Sequence, residues 1–247
     1  MFLLQLSDCH LFADAAGRVH DVDTDRSLAM LVERIRQRHP APAAVLATGD
    51  LSHDGTAASY RRLAQRLAPL ACPVLALPGN HDRPALLRET LAGPAFRTGP
   101  VQRLARWRIL LLDSTVPGCE QGRLAPATLT AVAAELDRDP APPTLLCLHH
   151  QPVPVGSPWI DAIGLENGHA LLALVARHPC IRALLFGHVH QPFDRPHGGC
   201  RLLGSPATCV QFQPRSPRPA IDPERPAGYR WLHLAPDGRL ETGIGWA

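Results

Sequence analysis

The stretch that decides the fold is Val74-Leu75-Ala76-Leu77-Pro78-Gly79-Asn80-His81-Asp82. Its first four residues form an apolar run that is typical of a buried strand. The run leads directly into a tight turn that carries an amide, an imidazole and a carboxylate. Any loop can hold a Gly-Asn-His string, so the turn indicates a reaction centre only if other strand ends in the chain support it.

Four other apolar runs end in the same kinds of residue. The strings that follow them are Asp8-Cys9-His10, Gly49-Asp50, His149-His150 and Gly187-His188-Val189-His190. Apart from Cys9 they offer only oxygen and nitrogen ligands, a mixture that suits Fe, Mn or Zn rather than Cu(I) or an iron–sulfur cluster. The motifs offer more candidate ligands than the four that one tetrahedral ion needs. The pattern therefore predicts two divalent ions that share a bridging carboxylate, an arrangement that recurs in the cleavage of phosphate esters.

Strands and helices alternate through about residue 190. The predicted strands are 2–7, 43–47, 74–77, 101–104, 107–112, 144–148 and 180–186, and the predicted helices begin near Thr24 or Asp25, Thr56, Pro84, Pro126 and Asn167. All-apolar strands between helices indicate α/β sheets that are covered by helices. In such sheets, ligands bind beyond the carboxyl ends of the strands, where the Asp- and His-bearing turns lie.

The last part of the chain, about 192–247, shows no helical period. Short β segments are predicted near 200–204, 207–212, 228–235 and 239–244. We expect them to form a second, more antiparallel sheet that packs on the first. No linker or repeat divides the chain, so residues 1–247 are predicted to form a single domain that includes this β-rich part.

Composition excludes several functional classes. The hydrophobic fraction of 45% and the charged fraction of 19% are those of an ordinary globular protein. The net charge of +3 does not favour a nucleic-acid partner. The seven cysteines include no C-x-x-C pair. The first eight residues lack the basic and apolar regions of a secretory signal, so we expect none, and no apolar stretch approaches the length that spans a membrane. We expect a cytoplasmic protein with no membrane partner, either a monomer or a homodimer.

Taken in order, these motifs resemble the calcineurin-like metallophosphoesterase superfamily over nearly the whole chain. A closer resemblance, to the class III cyclic-nucleotide phosphodiesterases of bacteria, rests on segments 8–12, 47–51, 149–156, 187–191 and 208–212. The resemblance implies an α/β fold in which two mixed β-sheets, flanked by helices, form a four-layer αββα sandwich.

The resemblance also implies a role for each residue of the motifs. The first metal would be held by Asp8, His10 and His190, the second by Asn80, His149 and His188, and both by Asp50. We assign His149 rather than His150 as the ligand because of its distance from the Gly-His-Val-His string. The catalytic residues would be His81, which contacts the phosphate and can protonate the leaving oxygen, and Asp50, which would bridge the two metals. A bridging hydroxide would attack phosphorus in line. Substrate contacts are predicted for His10, Asp50, Asn80, His81, His149 and His190.

The implied reaction is hydrolysis of 3′,5′-cyclic AMP to 5′-AMP with two divalent ions. Fe and Mn are the preferred metals, and Zn is an alternative. Other substrates for the same site are 2′,3′-cyclic nucleotides, phospholipid diesters and phosphomonoesters. A non-catalytic binding module on the same fold is a further alternative, but such members usually lack ligands. The low net charge argues against a nuclease.

Several neighbouring residues have alternative interpretations. Cys9 is either a thiol near the site or, the interpretation we favour, a small buried side chain. Asp54 caps the second helix or orients His81, and Asp82 stabilises its turn or fixes His81. Asp113-Ser114 is predicted to support the site, and the loop with Trp159 and Asp161 to cover a nucleotide base. Most of the remaining histidines are predicted at the surface: His20, His39, His53, His169, His178, His197 and His233.

Overall fold

The computed structural model describes all 247 residues. Its strands are β1 (Phe2–Leu6), β2 (Arg18–Val19), β3 (Val22–Asp23), β4 (Ala44–Thr48), β5 (Val74–Leu77), β6 (Phe96–Arg97), β7 (Val101–Leu104), β8 (Trp107–Leu111), β9 (Thr144–Cys147), β10 (Ile181–Phe186), β11 (Phe193–His197), β12 (Cys200–Gly204), β13 (Gly228–Leu234) and β14 (Leu240–Trp246). Its helices are α1 (Thr24–Arg38), α2 (Ala57–Leu67), α3 (Pro84–Thr90), α4 (Pro126–Arg138), α5 (Pro158–Asp161) and α6 (Gly168–Arg177). None of the helices combines the length and the apolar character that crossing a bilayer requires.

Two six-stranded sheets form the centre of the molecule. The first has the strand order β14-β13-β1-β4-β5-β6, and the second has the order β11-β12-β10-β9-β8-β7. The inner strands of each sheet are parallel, and antiparallel strands complete one edge of the first sheet and both edges of the second. Both sheets are therefore mixed, as the family resemblance implied.

Three apolar clusters show how the layers pack. One cluster joins α1, α2 and α3 to one face of the first sheet, and another joins α4, α5 and α6 to one face of the second. The third cluster lies between the two sheets and contains Leu3, Leu46 and Leu145. Because successive strand residues face opposite sides, Leu3 packs between the sheets while Leu4 packs under the helices. The predicted four-layer αββα sandwich is confirmed.

The β segments of the C-terminal part do not form a sheet of their own, and that prediction was wrong. Strand β13 pairs antiparallel with β1 and extends the first sheet, whereas β12 pairs parallel with β10 and extends the second. The apolar faces of β12 and β13 both reach the cluster between the sheets, through Leu203 and Leu232. This burial explains why the segments divide between two existing sheets.

Local differences from the predictions have clear physical causes. Segment 207–212 is not a regular strand, because its backbone bonds to site loops: the Thr208 N–H donates to Ser7 O and the Phe212 N–H donates to His190 O. Strand β11 was not predicted, because it contains Pro196, a residue that argues against a strand except at the edge of a sheet. Helix α1 is capped by the Asp23 carboxylate, not by either of the two residues that follow it.

Candidate active site

The five predicted strand ends lie at the same edge of the sandwich, beyond the carboxyl ends of β1, β4, β5, β9 and β10. The backbone bends sharply there. Five of the seven predicted metal ligands have a positive φ, from +44° to +67°, namely Asp8, His10, Asp50, His188 and His190. Non-glycine residues adopt this left-handed conformation rarely and at an energetic cost, and such strain concentrates at functional sites.

Gly79 lies at the point where two of these strand ends meet. A Cβ atom at this position would lie 2.2 Å from Asp50 Oδ1 and 2.8 Å from His149 Nε2. Its backbone φ is not in the left-handed region. Glycine is therefore required here by the close approach of two side chains, and not by a left-handed backbone conformation.

The first predicted ligand set converges on one point. His190 Nε2 lies 3.4 Å from Asp8 Oδ1 and 3.4 Å from His10 Nε2. All three side chains are buried, and their ligand atoms lie within 4.8 Å of one another. His190 Nδ1 donates to the Val210 carbonyl at 2.8 Å, which leaves the Nε2 lone pair directed at the cluster.

The second set lies beside the first and is linked to it by Asp50. His149 Nε2 lies 3.4 Å from Asp50 Oδ2 and 3.2 Å from Asn80 Oδ1. His10 Nε2, of the first set, lies 3.6 Å from the same Asp50 oxygen. His149 Nδ1 donates to the Thr48 carbonyl at 2.9 Å, which directs its Nε2 at Asp50 and Asn80. His188 lies beside His149, with ring centroids 5.0 Å apart.

Burial and mutual contact shift the pKa of these groups strongly. Burial lowers the pKa of His10 to about 3, against the opposing effect of Asp50. Burial disfavours charge on His149 as well, but Asp50 outweighs it and raises its pKa to about 9. Burial alone would raise the pKa of Asp50, yet His149 holds it well below its usual value. The pKa of Asp8 is likewise lowered by His190, against the effect of burial.

The residues present fit a pair of metal ions. His188 Nε2 is buried and has no hydrogen-bond partner, which is costly unless a ligand meets it. His149 and His190 each donate their other ring N–H to a backbone carbonyl, the usual arrangement of metal-binding histidines. The donors are carboxylate, amide and imidazole, and Cys9 takes no part because it lies in the apolar cluster beneath α1 and α2. As the sequence interpretation favoured, Cys9 is a small buried side chain, and burial raises its pKa to about 12.

His81 and His53 form the side of the site that faces solvent. The backbone N–H of His81 donates to Asp50 Oδ1 at 2.9 Å, and the His81 ring lies edge-on to His10, with centroids 4.9 Å apart. Its ring stacks on His53, with centroids 4.7 Å apart, and His53 Nδ1 lies 3.1 Å from His10 Nδ1. The prediction that most of the remaining histidines are surface residues does not fit His53. Its position three residues after Asp50 in the same loop is the signal that could have placed it.

The supporting residues have definite contacts. Asp82 accepts hydrogen bonds from the backbone of Gly79, Leu51 and Ser52, so it stabilises its own turn and joins it to the Asp50 loop. Burial and the nearby Asp50 raise its pKa to about 7. Asp54 neither caps α2 directly nor contacts His81. The cap is Thr56, whose N–H and hydroxyl both donate to Asp54.

His150 has both ring nitrogens engaged away from the site. Its Nδ1 pairs with Ser114 Oγ at 2.8 Å, and its Nε2 donates to the Glu120 carbonyl at 3.0 Å. Ser114 thus supports the site through His150, whereas Asp113 pairs with Arg88 at the surface. These contacts leave His150 no free nitrogen and favour His149 as the ligand.

A cavity of about 420 Å³ opens above the cluster. Five of the six residues predicted to contact substrate line it: His10, Asp50, Asn80, His81 and His190. His149 is fully buried and does not line it, whereas His188 does. Trp159 forms part of the wall, but the Asp161 carboxylate is engaged by backbone N–H groups of Val155 and Gly156.

The family model described as calcineurin-like phosphoesterase matches residues 1–192. The chain belongs to the calcineurin-like phosphoesterase family. The resemblance inferred from the motifs is confirmed. Membership of this family, together with the paired Asp and His clusters, supports a binuclear metal centre.

Curated relatives match almost the full length of the chain. A 3′,5′-cyclic adenosine monophosphate phosphodiesterase from Pseudomonas aeruginosa is 45% identical over 244 residues, covering 99% of this chain and 89% of the relative. The Escherichia coli protein of the same description is 38% identical, covering 98% and 88%. Among solved structures, a dimetal phosphatase from Danio rerio has a TM-score of 0.68 at 16% identity, covering 94% of this chain and 92% of that one. This structural likeness shows the fold alone.

Proposed function

We propose that this protein is a metal-dependent phosphodiesterase that hydrolyses 3′,5′-cyclic AMP to 5′-AMP. The observation that carries the proposal is the convergence of Asp8, Asp50, His149 and His190 below one cavity, with both histidines anchored through Nδ1. Relatives described as cyclic-nucleotide phosphodiesterases, which align over 98% or more of the chain, support the choice of substrate.

We assign the ligands in two sets. Asp8, His10 and His190 would hold one ion, Asn80, His149 and His188 the other, and Asp50 would contact both. Fe and Mn are the proposed metals, with Zn as the alternative. When bound, two such ions supply Lewis acidity that activates water near neutral pH and neutralises charge on the phosphoryl oxygens.

The chain's own residues position the substrate and move a proton. The bond from its backbone N–H to Asp50 fixes the His81 backbone, and the residue lines the cavity, so its ring faces a phosphate that enters there. As water adds to phosphorus, the bond from phosphorus to O3′ breaks, and His81 gives a proton to the departing O3′. Asn80 and His10 line the same floor and orient the phosphoryl oxygens.

The test is a substrate panel with defined metals. Purified chain loaded with Mn²⁺ or Fe²⁺ is given 3′,5′-cyclic AMP, 3′,5′-cyclic GMP, 2′,3′-cyclic AMP and 4-nitrophenyl phosphate, and kcat/KM is compared because specificity is a ratio. We expect the highest value for 3′,5′-cyclic AMP. A metal-loaded protein that turned over no cyclic nucleotide would overturn the proposal, and a preference for 2′,3′-cyclic AMP or the monoester would reassign the substrate.

The remaining expectations from the sequence stay predictions. They are a single domain over residues 1–247, a cytoplasmic location, the absence of a nucleic-acid partner, and a monomeric or homodimeric state. The pairing of β13 with β1 supports the first of them, because it joins the C-terminal part to the sheet that begins the chain.

A further inference from the structure

The cavity has a second half that the metal chemistry does not use. Besides the Asp and His cluster, its lining contains Trp159, Ile160, Ile163, Phe212 and Pro219, with one further carboxylate, that of Glu120. We call the first five residues the apolar wall. Asp50 and Glu120 are the only acidic residues that line the cavity. The cavity lining thus combines polar residues of the proposed metal centre with an adjoining apolar wall.

Phe212 joins the apolar wall to the proposed metal centre. Its ring stacks on the His190 ring, with centroids 4.1 Å apart and an interplanar angle of 8°. Its backbone N–H donates to His190 O at 3.0 Å. Trp159 packs edge-on against Phe212, with centroids 4.8 Å apart. A planar group lying on this wall is therefore held at a set distance from the phosphate end.

The short helix that carries Trp159 is itself anchored. Asp161 accepts N–H bonds from Val155 at 2.7 Å and from Gly156 at 3.1 Å. Gln151, which directly follows the two histidines, donates its side-chain amide to Ile160 O at 2.7 Å. These bonds fix the wall before any ligand enters, which reduces the ordering cost of binding.

The backbone of Glu120 is held by a hydrogen bond, whereas its side chain has no partner within the chain. His150 donates to the Glu120 carbonyl oxygen at 3.0 Å, and Ser114 holds His150 from the other side. The Glu120 carboxylate is exposed and makes neither a hydrogen bond nor an ion pair within the chain. An ionised carboxylate can only accept hydrogen bonds, so a ligand group that faces it must donate one.

We propose that the apolar wall is the nucleobase subsite and that Glu120 selects adenine by accepting a hydrogen bond from its 6-amino group. The inference rests on the proposed function, because the phosphate must lie at the metal end for the base to reach the wall. A purine has an apolar face that suits Trp159 and Phe212. Guanine and hypoxanthine carry a carbonyl at position 6, and two acceptors facing each other repel.

The test compares substrates that differ only at position 6. Wild-type chain, Glu120→Gln and Glu120→Ala are assayed with 3′,5′-cyclic AMP and with purine riboside 3′,5′-cyclic monophosphate, which has hydrogen in place of the amine. A hydrogen bond to a charged group corresponds to about a 10- to 100-fold preference. We expect wild type to prefer cyclic AMP by about that factor. The preference should fall close to one in Glu120→Ala and stay intermediate in Glu120→Gln, whose amide oxygen still accepts.

The control variant is Glu89→Ala, which removes an exposed carboxylate on α3 that lies outside the cavity. It should keep the wild-type ratio, and the metal content of every variant should equal that of wild type. An unchanged ratio in Glu120→Ala overturns the inference, as does an equal loss on both substrates or a loss of metal. Failure of wild type to hydrolyse cyclic AMP is a separate result, because it overturns the proposed function before the ratio is measured.

Discussion

Gly79 occupies a backbone position in the site that leaves no room for a side chain. Gly79 faces Asp50 and His149 so tightly that even a methyl group would overlap both. We expect Gly79→Ala to displace these side chains and to lower kcat/KM for cyclic AMP about 100-fold, since a shift of about 1 Å at a reacting centre has an effect of that size. The bound metal should fall as well, measured by plasma mass spectrometry.

Gly93→Ala is the matched control, because a Cβ atom there meets nothing within 4 Å. It should keep wild-type activity and metal content. If Gly79→Ala kept full activity and metal, the close approach of Asp50 and His149 to position 79 would not be essential to the site.

At the scale of elements, a buried arginine holds α4 against the second sheet. Arg108 on β8 is fully buried and donates to the carbonyls of Glu135 and Asp139, at 3.0 Å and 2.9 Å, at the end of α4. Arg108→Met leaves both carbonyls without this donor. We expect a loss of about 3 kcal/mol in the free energy of unfolding, measured with urea.

The control for this variant is Arg106→Met at the exposed tip of the β7–β8 hairpin, which should change stability by less than about 0.5 kcal/mol. Arg108 lies at the end of the sheet away from the site, so activity per folded molecule should not change. Equal stability of the two variants would contradict the role given to Arg108.

Element predictions succeeded where the signal was local. The parallel strands that end in Asp and His are apolar on both faces. Each therefore appears in the sequence as an uninterrupted apolar run, followed by the turn that carries the site residues. The sheet that each of β12 and β13 joins was not visible, because β13 pairs with the first strand of the chain and β12 pairs with β10 across the intervening β11. His53 was overlooked for a related reason: its neighbours His10 and His81 come from other loops.

At the scale of the whole molecule, the proposed centre joins the two sheets. Asp8, Asp50 and Asn80 follow strands of the first sheet, while His149, His188 and His190 follow strands of the second. Metal bound to both groups binds only the folded chain, so it should stabilise the fold by about 2.7 kcal/mol when free metal is 100 times its Kd. Thermal unfolding with and without Mn²⁺ measures this effect, and an unchanged Tm would contradict it.

The measurement that tests the central claim most directly is the metal content of the Mn²⁺-loaded chain after removal of free metal. We expect about two ions per wild-type chain. His190→Ala and His188→Ala should each lose about one ion, and Asp50→Ala should lose both, with the fold verified by circular dichroism. A wild-type chain that binds no metal, or an Asp50→Ala chain that still binds two ions, would contradict the assignment of this site.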